Sequence, residues 1–248
     1  MIKVIKENGI ATLTLNRPEK RNALHPAMVA QIKDALESIT IDNEVKALII
    51  TGEGNSFCAG ADLEHLGAMQ NYSSTENEKD SESLAEMFLS VYKLPIPTIA
   101  AVNGPAIAGG CGLASVCDFI IADSENAKFG YSEVKIGFVP AIVSIYLVRK
   151  IGEGNAKKLL LTSDIINAEV AHKLGLADQL SDNVLDDSMT FAKKLMSNSL
   201  ASYASTKQML NDISSMSIDD AVNYCVQLNL IHRSSEDFRE RIKIFLNK

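Results

Sequence analysis

Two glycine-bearing segments contain the residue types best suited to chemistry on a charged or polarised ligand. They are residues 57–63 (FCAGADL) and residues 103–112 (NGPAIAGGCG). Small side chains let the backbone approach a ligand closely, and a glycine run that opens a helix presents free N–H groups. Such N–H groups suit an anion, or an oxygen that becomes negative during a reaction. Taken alone, however, glycine clusters are more typical of tight turns and close helix packing.

The second segment does not have the pattern of a nucleotide-binding loop. Gly104 and Gly109 have the spacing of a phosphate-binding loop, but Gly110 and Cys111 occupy the positions that need Lys and Ser or Thr. The dinucleotide fingerprint fails as well, because Ser115 stands where it requires Gly or Ala. The sequence therefore gives no support to nucleotide binding.

Composition excludes several further classes of protein. The 248 residues include 24 Lys and Arg against 31 Asp and Glu, and the formal charge of -7 argues against a nucleic-acid surface. Four cysteines without CxxC spacing and four scattered histidines predict neither a metal site nor a disulfide framework. The first 15 residues lack the features of a signal peptide, and no apolar run approaches the roughly 20 residues of a membrane span. We expect a cytoplasmic protein with reduced thiols.

The elements that would position the two segments read as alternating strands and helices. Residues 2–15 alternate about an Asn8-Gly9 turn, which predicts a hairpin. From Pro26 onward a helix is indicated by an apolar face of Met28, Ile32, Leu36 and Ile39. Residues 45–51 and 98–102 read as buried strands, each followed by a glycine-bearing loop and a helix-like segment. This order predicts an α/β fold with parallel strands.

Two other stretches differ in character from this body. Residues 70–83 are polar and predict a mobile loop or the edge of a helix. After about Leu180 the sequence reads as helical, and Ile242, Phe245 and Leu246 give the last helix an apolar face. We therefore expect an α/β body at 1–180 and a helical region at 181–248.

Five segments together resemble the enoyl-CoA hydratase/isomerase (crotonase) family: residues 15–18, 56–63, 103–118, 129–140 and 235–240. The resemblance runs through essentially the whole chain and implies a spiral of ββα units with a C-terminal helical region for trimerisation. It also implies an acyl-CoA thioester bound between the two glycine segments, with the helical region helping to cover it. Coenzyme A would then be part of the substrate and no separate cofactor would be needed. Self-association to a trimer or hexamer is expected, with no nucleic-acid or membrane partner.

The resemblance also implies catalytic groups. The backbone amides of Ala61 and Gly109 match the pair that polarises the thioester carbonyl, and each should lie about 2.7–3.1 Å from one oxygen site. Glu133 matches the second catalytic glutamate of the family. Read without the family, a glutamate between Lys128 and Lys135 is more often a solvated surface residue.

The chain departs from the family pattern at Gly112. Hydratases of the family carry their first catalytic glutamate at this position, and one explanation for glycine here is a positive φ. Dienoyl-CoA isomerases use a further aspartate at a position that Ala141 occupies in this chain. A single glutamate is what simple double-bond isomerisation requires, so Gly112 favours isomerisation while the overall resemblance favours hydration.

Matching by motif also suggests residues that contact the CoA thioester. These are Arg21, Ala23, Leu24, Ala59, Gly60, Asp62, Leu63, Gly110, Phe245 and Lys248. Arg21 is suited to a phosphate, whereas Phe245 is explained more simply by the core of the last helix. His65, His232 and Glu64 are alternative acid/base groups, since some decarboxylases of the family use histidine.

Three classes of function remain open at this point. The first is an acyl-CoA enzyme, whether isomerase, hydratase or decarboxylase. The second is an acyl-CoA-binding protein that has lost its chemistry, against which the retained Glu133 argues. The third is RNA binding, which the acidic composition disfavours.

Overall fold

The protein is described from a computed structural model, and the description covers residues 1–247. The chain divides into two compact units, one from Met1 to Leu195 and one that begins at Met196. The first unit extends beyond the boundary expected near residue 180. It does so because Ser188 and Ala192 are buried and Phe191 packs edge-on against Phe119 at 4.9 Å between ring centroids.

The strands form two sheets. Their bounds are β1 Ile2–Glu7, β2 Ile10–Leu15, β3 Ala47–Gly52, β4 Thr98–Val102, β5 Pro105–Ile107, β6 Phe119–Asp123, β7 Lys128–Gly130, β8 Ile166–Asn167 and β9 Gln179–Ser181. The larger sheet has the order β1-β2-β3-β4-β6-β9, and the smaller has the order β5-β7-β8. Pairing is parallel except for β1 with β2 and β7 with β8.

The helices surround these sheets or follow them in the chain. Their bounds are α1 Pro26–Ile41, α2 Leu63–Ala68, α3 Ser74–Lys93, α4 Gly109–Ser115, α5 Ala141–Thr162, α6 Ala168–Lys173, α7 Val184–Met196, α8 Leu200–Ile213, α9 Ile218–Arg233 and α10 Glu236–Leu246. Three short 3-10 helices lie at Pro18–Lys20, Met69–Asn71 and Glu133–Ile136. Successive turns of the chain place a strand in the larger sheet, a strand in the smaller sheet and then a helix, as β4-β5-α4 and β6-β7-α5 do. This confirms the expected α/β spiral of ββα units.

The hairpin and the first helix follow the sequence prediction closely. Ile2 pairs with Leu15 and Glu7 with Ile10 across the Asn8-Gly9 turn, where both residues have positive φ. Met28, Ile32, Leu36 and Ile39 of α1 are all buried. The central strands β3 and β4 are buried along their whole length, as parallel strands covered on both faces should be.

The interpretation of residues 70–83 as a mobile loop is wrong for most of the segment, because α3 begins at Ser74. Ser73 caps this helix reciprocally with Glu76, each side chain bonding the backbone amide of the other residue. Farther along α3, Met87, Phe88 and Val91 are buried in the core. Most polar residues of its first turns are exposed, and the later turns pack into the core and hold the helix in place.

The second unit consists of α8, α9 and α10. In its described part, residues 196–247, these three helices contain no buried residue. Large apolar side chains are instead exposed along them: Leu210, Ile218, Val222, Val226, Leu230, Ile231, Phe238, Ile244, Phe245 and Leu246. Within residues 1–247, none of the helices combines the length and apolar character that a membrane crossing needs.

Candidate active site

A cleft of about 760 Å³ opens in the first unit, and the predicted chemical groups line it. Its walls come from α2, the first half of α3, the start of α4 and residues 132–143. Seven of the candidate site residues named from the sequence line it: Leu24, Ala59, Ala61, Leu63, His65, Gly109 and Glu133. Most of the remaining wall is apolar, with Leu66, Met69, Leu84, Ile136, Phe138, Val139, Ile142 and Val143. Such a lining fits an acyl chain.

The two glycine segments meet at the base of this cleft. A Cβ atom placed on Gly60 would lie 3.2 Å from the amide nitrogen of Gly109 and 2.8 Å from the carbonyl oxygen of Ile107. A Cβ atom placed on Gly109 would lie 3.9 Å from the amide nitrogen of Ala61. The backbones are therefore in direct contact, and the amides of Ala61 and Gly109 are neighbours.

Local structure leaves both of these amides available to a ligand. Gly109 is the first residue of α4, and the first amides of a helix have no partner within the helix. The amide of Leu24 donates to the carbonyl oxygen of Gly60, and the carbonyl oxygen of Leu24 accepts from the amide of Asp62. Because successive amides of an extended chain point to opposite sides, the amide of Ala61 is turned away from Leu24. Ala108, which precedes Gly109, has a φ of 52° that alanine rarely adopts. Its amide donates to the carbonyl oxygen of Gly130 at 2.8 Å, which helps to hold that conformation.

The predicted role of Asp62 in binding CoA is replaced by a structural one. Its carboxylate is buried, accepts hydrogen bonds from the amides of Glu64 and His65 at the start of α2, and pairs with Arg17 at 2.9 Å. Arg17 also donates to the carbonyl oxygen of Ala23. Burial by itself raises the pKa of Asp62, but Arg17 and the two amides outweigh it and hold the pKa below its ordinary value.

Two asparagine side chains hold the loops that lead into the glycine segments. Asn22 is completely buried, accepts from the amide of Arg17 and donates to the carbonyl oxygens of Glu53 and Ser56. Asn103 donates to the carbonyl oxygens of Gly52 and Gly54. Because neither side chain takes part in a repeating pattern, sequence reasoning did not find them.

Glu133 lies in the wall of the cleft at the start of the Glu133–Ile136 3-10 helix, and it is 9% exposed. Its Oε2 atom is buried and has no hydrogen-bond partner among the described residues. Burial raises the pKa of this carboxyl, and the backbone amides of Glu133 and Ser132 oppose the rise only in part. This carboxyl therefore keeps its proton to a higher pH than an exposed glutamate does, which suits a group that takes up and returns a proton.

The segment that carries Glu133 is fixed to the second glycine segment. Strand β7 pairs with β5, and Tyr131 is fully buried with its hydroxyl 3.3 Å from the Oγ atom of Ser115 on α4. The position of Glu133 is thus coupled to the helix that presents the amide of Gly109.

The expected reason for glycine at position 112 is wrong. Gly112 lies inside α4 and is not among the described glycines with positive φ. A Cβ atom there would instead overlap the side chain of Val143 and lie 3.5 Å from Phe88. Val143 of α5 therefore fills the space that the side chain of a first glutamate would need.

Several other predicted residues lie away from the cleft lining. Gly110 and Gly60 are buried, and a Cβ atom on Gly110 would overlap the carbonyl oxygen of Cys58, so its role is close packing. Ala23 is also buried. Arg21 is exposed, with its carbonyl oxygen accepting from the amide of Ala59.

The remaining candidates are at the surface or in the second unit. Glu64 is exposed and pairs with Lys20, which leaves it outside the cleft lining. Phe245 is exposed on α10, so it is not a core residue of this chain, and His232 lies on α9. Lys248 lies outside the described residues. Within residues 1–247, no cluster of His, Cys, Asp and Glu has the arrangement of a metal site.

Comparison with known proteins identifies the family of the chain. A family model for enoyl-CoA hydratase/isomerase matches residues 5–248. The chain belongs to the enoyl-CoA hydratase/isomerase family. A crotonyl-CoA hydratase of Syntrophomonas wolfei is 37% identical over 247 residues, covering 98% of this chain and 94% of the relative. A 1,2-epoxyphenylacetyl-CoA isomerase of Escherichia coli is 32% identical over 250 residues, covering 98% and 94%.

A solved structure extends the likeness to the fold. The crystal structure of an enoyl-CoA hydratase from Polaromonas sp. JS666 has a TM-score of 0.94 and 32% identity, covering 99% of this chain and 96% of that chain. The family therefore includes both hydratases and isomerases at similar distance from this chain. Membership in the family establishes that the chain acts on an acyl-CoA, whereas the reaction itself depends on the groups present in the site.

The first prediction concerns the Arg17–Asp62 pair. Arg17→Met leaves a buried carboxylate without its cation and should lower the free energy of unfolding by about 3–5 kcal/mol at neutral pH. Because the folded-state pKa of Asp62 is depressed, its stabilising contribution is present above the unfolded value of about 3.9 and is lost as the pH falls through the folded pKa. Urea denaturation of wild type, Arg17→Met and Asp62→Asn from neutral to acidic pH checks both points. The difference between wild type and Asp62→Asn should shrink as the pH falls, and a constant difference would contradict the assignment.

The second prediction concerns position 112. Gly112→Glu alone should be strongly destabilised, because its side chain meets Val143. The double variant Gly112→Glu with Val143→Ala should recover much of that stability, since the smaller side chain makes room. Val143→Ala alone is the control for the cavity. Thermal unfolding of the three variants decides, and equal destabilisation of single and double variants would show that Val143 is not the obstacle.

Proposed function

We propose that the protein is an enoyl-CoA isomerase or hydratase in fatty-acid or related acyl-CoA metabolism, with Glu133 as its acid/base. The single observation that carries this proposal is the buried Oε2 atom of Glu133, which has no hydrogen-bond partner within residues 1–247 and lies in the same cleft as the amides of Ala61 and Gly109. Carboxyl and amides together are suited to forming an enolate from a thioester. CoA is part of the substrate, and the reaction needs no separate cofactor.

Isomerisation is the reaction that this set of groups supports most directly. The carboxylate of Glu133 takes a proton from C2 of a 3-enoyl-CoA, and the electrons of the C–H bond move onto the thioester oxygen. The amides of Ala61 and Gly109 stabilise the resulting dienolate, an interaction worth about 2.7–4 kcal/mol for one such donor. Glu133 returns the proton to C4 as the double bond shifts to C2=C3. One carboxyl is sufficient because the same proton leaves and returns.

The substrate contacts follow from the lining of the cleft. Leu24, Ala59 and Leu63 flank the amide of Ala61 and are placed to hold the thioester end, while the apolar wall takes the acyl chain. Arg21, whose backbone bonds Ala59, is our candidate for a CoA phosphate. Phe245 and Lys248 remain predictions from the family resemblance.

Hydration is the second candidate, because relatives of this chain include a crotonyl-CoA hydratase and a 2,3-dehydroadipyl-CoA hydratase. A decarboxylase or a binding protein without chemistry is less well supported. Neither of these would explain why the Oε2 atom of Glu133 is kept buried in the cleft, at a cost in solvation and without a hydrogen-bond partner among the described residues, beside two free amides.

The third prediction tests the role of Glu133. Glu133→Gln should lower kcat by about 10²–10⁴-fold with 3-enoyl-CoA substrates, because the amide keeps the shape but cannot accept a proton. Binding of a saturated acyl-CoA, measured by calorimetry, should be nearly unchanged. The exposed Glu125→Gln is the matched control and should keep full activity. Full activity of Glu133→Gln would contradict the proposal. Loss of both acyl-CoA binding and activity in Glu133→Gln would favour a purely structural role for Glu133.

The fourth prediction concerns assembly. We propose that the exposed apolar side chains of α8, α9 and α10 are covered by other copies of the chain around a closed, threefold axis. Sedimentation at micromolar concentration should give the mass of a trimer or a hexamer. A double substitution of Val222 and Val226 by Asp should shift the protein to smaller species, whereas a wild-type monomer would contradict the proposal.

A further inference from the structure

Besides Glu133, a pair of titratable side chains lines the cleft and has no part in the isomerisation described above. His65 of α2 and Asp80 of α3 are both in the lining, and the Nε2 atom of His65 lies 2.7 Å from Oδ1 of Asp80. Both side chains are largely buried, with 15% and 26% of their surface exposed. Asp80 lies in the segment predicted from sequence to be a mobile loop or the edge of a helix, and no sequence motif indicated the pairing.

The pairing fixes which nitrogen of the imidazole is free. A carboxylate only accepts hydrogen bonds, so Nε2 carries the hydrogen and donates it to Asp80. In neutral His65 the lone pair is then on Nδ1, for which there is no hydrogen-bond partner within residues 1–247. This is the arrangement by which a carboxylate orients a histidine that acts as a base and stabilises the cation it becomes.

Neighbouring groups hold the ring in this orientation. Its plane packs edge-on against Tyr72 at 5.9 Å, and His25 lies 6.2 Å away between ring centroids. The backbone amide of His65 is bonded to Asp62, the residue that follows Ala61. The base is therefore attached, through one turn of helix, to the segment that presents an oxyanion donor.

We propose that His65, oriented by Asp80, is the second acid/base group of this cleft and that it gives the protein a hydratase activity without a glutamate at position 112. The proposal rests on the proposed function, since it uses the same amides and Glu133. His65 would be a catalytic residue and Asp80 a positioning residue. The two roles are absent from the isomerisation, which needs Glu133 alone.

The hydration step balances with these groups. Nδ1 of His65 takes a proton from water, and the water oxygen forms a bond to C3 of a 2-enoyl-CoA. The π electrons of C2=C3 move to give an enolate on the thioester oxygen, which the two amides stabilise. Protonated Glu133, whose raised pKa favours that form, gives its proton to C2. The imidazolium then returns its proton through solvent to Glu133, and the net change is the addition of H and OH.

A purely structural reading of the pair makes a different prediction. If the pair only pins α2 to α3, its loss should affect both reactions together, because α2 follows the oxyanion segment directly. If His65 is the base for water, its loss should affect hydration alone.

The test compares two reactions in four proteins. Wild type, His65→Gln, His172→Gln and Glu133→Gln are incubated separately with crotonyl-CoA and with a 3-enoyl-CoA, and the products are separated by mass and retention. Gln at position 65 can still donate to Asp80 through its amide but has no base in the place of Nδ1. His172 lies on α6, outside the cleft lining, so His172→Gln is the matched histidine control.

The proposal predicts a loss of hydration by about 10²–10⁴-fold in His65→Gln, with isomerisation nearly unchanged. His172→Gln should retain both reactions, and Glu133→Gln should lose both. Three outcomes would overturn it: hydration that survives His65→Gln, an equal loss of both reactions in that variant, or a wild type that isomerises and does not hydrate. The last outcome leaves the proposed function intact. A wild type that performs neither reaction is the failure of the proposed function itself.

Discussion

The site depends on direct contact between two stretches of backbone. Residues 58–61 and 106–110 run so close together that a side chain at Gly60 would meet the backbone at Ile107 and Gly109, and one at Gly110 would overlap Cys58. This contact brings two amides side by side without any side chain between them. Because the donors belong to the backbone of packed elements, they are oriented before a substrate arrives, and this orientation is the main source of their electrostatic effect.

Two features of this site lower the stability of the fold, and contacts in the surrounding loops offset them. Ala108 is held in an unfavourable conformation, and the Oε2 atom of Glu133 is buried without a hydrogen-bond partner among the described residues. Both features cost free energy. The surrounding loops are held by the buried Arg17–Asp62 pair and by the side chains of Asn22 and Asn103, and these contacts offset that cost. This distribution is typical of a site in which strain and desolvation serve the chemistry.

The parts of the fold with strong local periodicity could be predicted from the sequence. The β1–β2 hairpin and α1 could be predicted because alternation and helical spacing depend on residues close together in the sequence, and the structure confirms both elements. Helix α3 was predicted only as one of two alternatives, a mobile loop or the edge of a helix, because the polarity of residues 70–83 fits both; the capping-box pattern of Ser73 and Glu76 marks the start of the helix. Asp62 was assigned to CoA from its motif alone. Its burial beside Arg17 depends on a contact between distant parts of the chain.

Contacts between distant residues also explain why the sequence did not predict the surroundings of Gly112 or the partner of His65. Val143 excludes a side chain from position 112, and Asp80 orients His65, yet neither relation has a spacing that a motif records. The family resemblance located the glycine segments and Glu133 because these are local motifs. The shape of the cleft and the partners of its polar groups required the structure.

The central claim is that the cleft forms an enolate from an acyl-CoA thioester, and hydrogen exchange at C2 tests it most directly. A saturated acyl-CoA, which has no double bond to move or hydrate, is incubated with the protein in D₂O and its mass is followed. Our account predicts that deuterium replaces hydrogen at C2 at a rate proportional to protein concentration, because enolate formation needs only the two amides and Glu133. Tight binding of the same thioester without any deuterium gain would contradict it.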